Sequence, residues 1–179
     1  HEGKGRDPEW EETHHNKPHI VYLALTGGMK VGVTRFDQVP TRWIDQGAWK
    51  TIKLALTPYR YLAGVIEVEL KKYISDKTAW QMMLKNQMDH VTDLVAEKER
   101  IMEQQQSVFG EYLLPEDQEV FTFRYPVETY PQKVKSINLD KTGRAEGILA
   151  GIRGQYLIFD DSQVINLRKY SGYEVTLTT

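Results

Sequence analysis

The chain has 179 residues, of which 40% are hydrophobic and 27% charged, so it holds enough apolar side chains for one large core or two small ones. It has no cysteine, which excludes disulfides, thiolate catalysis and cysteine-based zinc sites within these residues, and its net charge of −2 argues against non-specific coating of nucleic acid. No run approaches the about 18 consecutive apolar residues of a membrane span, so a soluble, cytoplasmic protein with no membrane partner is expected.

Residues 1–18 read as an irregular arm, broken by Gly3, Gly5, Pro8 and Pro18. The chain opens on His1 rather than Met, so further residues upstream are expected. The arm is rich in metal-ligating types (His1, Glu2, Glu11, Glu12, His14, His15, His19) but lacks a fixed pair such as H-E-x-x-H, and a solvated arm is the favoured reading. Next, "HIVYLALT" and "MKVGVT" are β-rich runs joined by "GG", a hairpin with glycines suited to positive φ. "FDQVPTRWIDQGA" predicts a short helix holding Arg42, Trp43 and Ile44 and ending at Gly47, and "AWKTIKLALTP" a third strand. In "YRYLAGVIEVELKKYI", Leu62, Val65, Ile66, Leu70, Tyr73 and Ile74 keep helical spacing, with Glu67 and Glu69 off the stripe's centre.

Residues 75–109 predict a longer helical region whose packed face carries Trp80, Met83, Leu84, Met88, Val91, Leu94, Val95 and Ile101. A methionine-rich stripe of this kind is core rather than a cofactor box. From about residue 113 short β-type runs follow one another between "DKTG", "RG", "DDS" and "SG", the pattern of a small antiparallel barrel or sandwich. The expected architecture is therefore α+β, with an arm over 1–18, an α/β domain with a helical extension over 19–112, and a small β-barrel over 113–179. Basic stretches at 29–61 and 130–170 flank an acidic one at 62–119, which suits either solvated faces or a phosphate track.

The order hairpin, helix with Arg42, third strand, helix with Glu67 resembles the GIY-YIG nuclease superfamily over about residues 19–75. In particular it is similar to bacterial members of uncharacterised role with a β-rich C-terminal part. "IVY" (Ile20–Tyr22) takes the place of the first name-giving motif and "KVG" (Lys30–Gly32) that of the second. The pattern departs from the family at two places: Ile20 stands for the first motif's glycine, and Lys30 for a tyrosine that many active nucleases carry, although some related branches also have lysine there.

The resemblance implies a three-stranded sheet with helices and a metal-dependent phosphodiesterase acting on DNA or RNA. It assigns Glu67 to one hard divalent ion, Mg²⁺ or Mn²⁺, Arg42 to the phosphate, and Tyr22 with Lys30 to the attacking water. Gly32 would admit a substrate backbone to the strand. Relatives often carry a cysteine-rich zinc segment ahead of this core, so zinc is expected only if residues upstream supply cysteines. Ordinary roles compete at each position: Tyr22 as a packing residue, Arg35 and Arg42 paired with Asp37 and Asp45, and Glu67 paired with Lys71. In the C-terminal part, Arg153, Tyr156, Phe159, Arg168, Lys169, Tyr170 and Tyr173 interleave rings and cations as a strand-binding groove does, and Arg35, Arg153, Arg168, Lys169 and Tyr170 are the expected nucleic-acid contacts. Two other readings stand beside it: a non-catalytic nucleic-acid-binding module using the same surface on a degenerate core, and a protein–protein interaction domain that docks through its long helix and has no nucleic-acid affinity.

Overall fold

The computed structural model describes residues 7–178. The arm is not irregular throughout. Pro8–His14 forms α1, because Asp7 caps the backbone N–H of Trp10 and Pro8 occupies the first turn, where its missing donor costs nothing. His1 and Glu2 of the metal-type arm lie outside the described residues.

The first sheet has the order β2-β1-β3-β4, built from β1 (His19–Leu25), β2 (Met29–Arg35), β3 (Lys50–Thr57) and β4 (Val120–Thr122), all antiparallel. β1 is central and buried along its whole length, which is why "HIVYLAL" reads as a nearly unbroken apolar run. Its residues alternate between two cores. Val21, Leu23 and Leu25 pack with Ile52 and Leu54 against Ala63, Ile66 and Leu70 of α3 (Arg60–Leu70) and Leu94 and Ile101 of α5 (Leu94–Phe109). Ile20, Tyr22 and Ala24 face the other way, onto Trp43 of α2 (Thr41–Asp45) and onto Phe121 and Phe123. β4 lies beyond the expected boundary at residue 112, yet it completes this sheet by pairing with Lys50–Ile52.

Gly27 and Gly28 turn the hairpin without positive φ. Gly27 is needed for close approach instead: a Cβ there would stand 2.6 Å from the Met82 Cβ and 2.7 Å from the Ala79 carbonyl oxygen. That neighbour belongs to α4 (Trp80–Leu84), and the long helix expected over 75–109 is in fact two helices. Asn86 takes the left-handed conformation at φ 56, Asp89 accepts from the N–H groups of Val91 and Thr92, and Asp93 caps α5 through Val95 and Ala96, so the chain breaks between them. Val91, expected on the packed face, sits in this break and is 94% exposed.

The second sheet has the order β5-β8-β7-β6, from β5 (Lys135–Ser136), β6 (Leu149–Arg153), β7 (Tyr156–Phe159) and β8 (Gln163–Asn166). β5 runs parallel to β8 and the other pairs are antiparallel, so this is a mixed, open sheet, and among the described residues no closed barrel forms. α6 (Leu139–Thr142) lies between β5 and β6 in sequence. Met83 and Leu84 of α4 pack with Ile158 and Val164 on one side of the sheet, and Tyr170 fills the other with Ile137 and Ile165. The α+β class therefore holds, with two four-stranded sheets joined through α4. No helix among the described residues is long and apolar enough to cross a membrane.

Candidate active site

The β1–β2 register places Tyr22 opposite Gly32 and Ala24 opposite Lys30, so these four share the face that meets α2. Tyr22 is fully buried, and its hydroxyl donates to the Gln46 side-chain oxygen at 2.9 Å. Lys30, 4% exposed, donates from Nζ to that same oxygen and to the Thr78 hydroxyl at 3.0 Å. Gln46 thus joins the two motif residues in one node. The C-terminal end of α2 presents it, one turn after Arg42.

Burial is the leading influence on both groups. It pushes the Tyr22 phenol well above its ordinary range, so Tyr22 stays protonated, and it draws the Lys30 amine down to about 8, with the Arg42 charge acting in the same direction and Asp76 and Glu67 opposing it. The charges of Arg42 and Glu67 bear on Tyr22 as well. The structure thus places Tyr22 and Lys30, near the β2 edge of the sheet, each within electrostatic reach of both Arg42 and Glu67. That edge is partly covered: Val31 donates to the Ser75 carbonyl at 2.9 Å, which lays the segment carrying Thr78 along it.

Glu67 lies on the flank of α3 with its carboxylate 3.9 Å from the Arg60 guanidinium; the Lys71 amine pairs instead with Asp76 at 2.7 Å. Partial burial raises the Glu67 carboxyl above its usual range, against the pull of Arg60 and Lys71. The carboxylate lines a groove of about 570 Å³ together with His15, Arg60, Tyr61 and Val65, so solvent and solutes reach it. One accessible carboxylate held by a loose ion pair suits a hard divalent ion that takes its remaining ligands from water and phosphate. Among the described residues no group of three or more His, Asp or Glu side chains is gathered as a metal cage.

Several expected contacts belong elsewhere. Gly32 does not leave room for a substrate backbone, because the Tyr22 ring already lies over it: a Cβ at Gly32 would stand 2.6 Å from the Tyr22 Cζ and hydroxyl oxygen. Gly32→Ala is expected to displace the ring, break its bond to Gln46 and lower the unfolding free energy in urea by ~1–3 kcal/mol. Arg35 pairs with Asp37 at 3.2 Å, as the ordinary reading had it. Arg153 is 1% exposed and is no surface contact, and Tyr170 is 7% exposed, its hydroxyl accepting from Leu139 N and donating to the Ile137 carbonyl oxygen. Burial in the second sheet, which the alternation of its short strands did not reveal, removes both from any nucleic-acid surface. Arg168 and Lys169 are exposed on the 3-10 turn Leu167–Tyr170, and Lys169 sits over the Tyr170 ring.

Gln46 and Thr78 are the residues that sequence reasoning missed. Gln46 had a signal, its spacing of four from Arg42 on one helix; Thr78 had none, since only the fold brings it to Lys30.

Residues 1–175 match the model of one family, described as "Protein of unknown function (DUF2797)". No curated protein and no solved structure matches the chain.

Proposed function

We propose that this chain, which belongs to the DUF2797 family, acts on nucleic acid as a divalent-metal-dependent phosphodiesterase at the β2 edge of its first sheet. The observation that carries this reading is the convergence of Tyr22, Lys30, Arg42 and Glu67, drawn from two strands and two helices in the order the GIY-YIG resemblance implies. The sheet order, with the motif strand β1 at its centre, supports it.

The roles follow from the physical state of each group. Hydrolysis of a phosphodiester needs a water deprotonated and aimed at phosphorus, and positive charge to meet the oxygens as they gain negative charge. Tyr22, locked as a phenol with its proton donated to Gln46, fixes that shared acceptor and does not take the proton. Lys30 is suited to accept it, because a neutral amine keeps its two donor bonds, to Gln46 and Thr78, and has its lone pair left for the water's proton. Arg42 supplies the forked cation for the phosphate. Glu67 would hold Mg²⁺ or Mn²⁺, which when bound supplies Lewis-acid stabilisation of the phosphoryl oxygens.

The test is an assay of cleavage and binding on single-stranded, duplex and branched DNA and RNA with Mg²⁺ or Mn²⁺. The expected result is cutting that rises with pH through about 8 as Lys30 loses its proton. It should fall by roughly 10²–10³-fold in each of Glu67→Gln and Arg42→Ala. A second reading, non-catalytic binding on the same surface, is favoured by the near-complete burial of Lys30 and predicts salt-sensitive binding without turnover. Neither cutting nor binding would overturn both.

A further inference from the structure

We propose that Arg153, on the second sheet, is a positioning residue that holds the two segments supplying Lys30 with its hydrogen-bond acceptors. Its relevance to phosphodiester chemistry rests on the reading above; the hold itself does not.

Lys30 has two acceptors, Gln46 at the end of α2 and Thr78 just before α4. Neither segment is long enough to hold its own place: α2 spans five residues and so does α4, well short of what an isolated helix needs. Arg153 reaches both. Its Nε donates to the Gly47 carbonyl oxygen at 3.2 Å, next to Gln46, and its Nη1 donates to the Asn86 side-chain oxygen at 2.9 Å, past the far end of α4.

The surroundings fit a structural brace. Both acceptors are neutral, and the guanidinium lies 5.2 Å from the Tyr125 ring centre and 5.8 Å from that of Tyr130. A buried cation without a carboxylate is costly, and the planar fork is what a single side chain needs to bond in two directions. The next residue strengthens the contact. Gly154, at φ 58, brings its backbone so close to the α2 turn that a Cβ would stand 2.8 Å from the Asp45 carbonyl oxygen and 2.9 Å from Gly47 N. Tyr125 adds its hydroxyl, which donates to the Ala48 carbonyl oxygen at 2.7 Å. The β6–β7 hairpin is therefore seated on the loop that presents Gln46.

The test reads Lys30 directly, by the side-chain ammonium resonance in ¹⁵N-labelled full-length protein below pH 8, assigned by its loss in Lys30→Arg. The expected result for Arg153→Met is that this resonance shifts or vanishes through faster exchange while the amide spectrum of β1–β3 stays dispersed. Arg153→Lys, which keeps the charge and not the fork, is expected to disturb it as well. Asn86→Gly cuts only the α4 arm, at a backbone conformation glycine adopts without strain, and is expected to shift the resonance by less; it decides the matter if Arg153→Met does not fold. A Lys30 signal unchanged in folded Arg153→Met, or in Asn86→Gly where that variant alone folds, would overturn the proposal, and a wild-type signal in Arg153→Lys would overturn the two-armed hold. Where the wild type cuts nucleic acid, Arg153→Met should lower kcat roughly 10–100-fold with little change in KM, because the side chain is shielded from substrate. A wild type that does not cut removes the phosphodiesterase reading and leaves the resonance test standing.

Discussion

Lys30→Met is expected to make the protein more stable at pH 7 while abolishing whatever chemistry the node performs. The amine is drawn from 10.5 to about 8 by burial, which corresponds to roughly 3 kcal/mol against the charged form in the folded state. A methionine of similar length removes that penalty. It also forfeits the bonds to Gln46 and Thr78, so a net gain of ~1–3 kcal/mol is expected. The sign with pH provides an internal check. Between about 8 and 10.5 the folded state binds fewer protons at Lys30 than the unfolded chain does, so this residue's contribution to stability improves as pH rises through that window. Tyr22, which holds its proton in the fold beyond its ordinary 10, opposes the trend above that pH. Lys98, also drawn down by burial, and Lys71 and Lys72, raised by Asp76 and Glu69, act in wild type and variant alike and cancel in their difference. Urea unfolding from pH 7 to 10 should therefore show the advantage of Lys30→Met shrinking towards alkaline pH; a constant advantage, or none, would mean that the lysine carries no burial penalty.

Trp43→Ala should cause the largest loss of stability of any single change near the site. Trp43 is fully buried, and its ring centre lies 5.5 Å from that of Tyr22, 5.1 Å from Phe121 and 6.4 Å from Phe123. On this face it packs α2 against both β1 and the β4 segment. Truncation costs about 3–5 kcal/mol, a fall in Tm of order 10 °C for a chain of this size. Because Arg42 precedes Trp43 and Gln46 follows it by three, the same truncation loosens the turn that presents both. Trp43→Phe deletes an indole N–H that has no hydrogen-bond partner and should cost much less. Equal losses for the two variants would show that a phenyl ring recovers none of these contacts and would overturn the expectation.

The parts of the fold readable from sequence are those whose pattern is local. β1, β2, β3 and α3 lie close to where alternation and helical spacing put them. The gathering of Tyr22, Lys30, Arg42 and Glu67 was reachable only through resemblance, since each residue alone has an ordinary explanation. The misreadings share a cause. Gly27 and Gly32 serve close approach by other segments, the start of α4 and the Tyr22 ring, rather than turn geometry or substrate access, Arg153 turns inward to carbonyls far away in sequence, and α4 belongs as much to the second sheet as to the first. None of these contacts leaves a trace in the spacing of residues. The break after α4 was legible in principle, from Asn86 and the caps Asp89 and Asp93, but the apolar stripe running across it masked the signal. α1 was equally legible, from Asp7 and Pro8, and was lost to the breakers around it.

The late arrival of β4 and of the β6–β7 hairpin has a consequence for biogenesis. All four motif residues are translated by position 67, but the strand that completes their sheet spans Val120–Thr122 and the brace on Gln46 comes from Arg153 and Gly154. During elongation the hairpin, β3 and α3 emerge from the ribosome with Trp43 still lacking Phe121 and with β3 presenting an open, apolar edge. Such an edge invites pairing with another nascent chain on the same message. The same separation sets the order of folding: the first sheet and the turn that presents Gln46 are completed only when the C-terminal third of the chain has been released, so a truncated translation product would carry Tyr22, Lys30, Arg42 and Glu67 on an unfinished sheet.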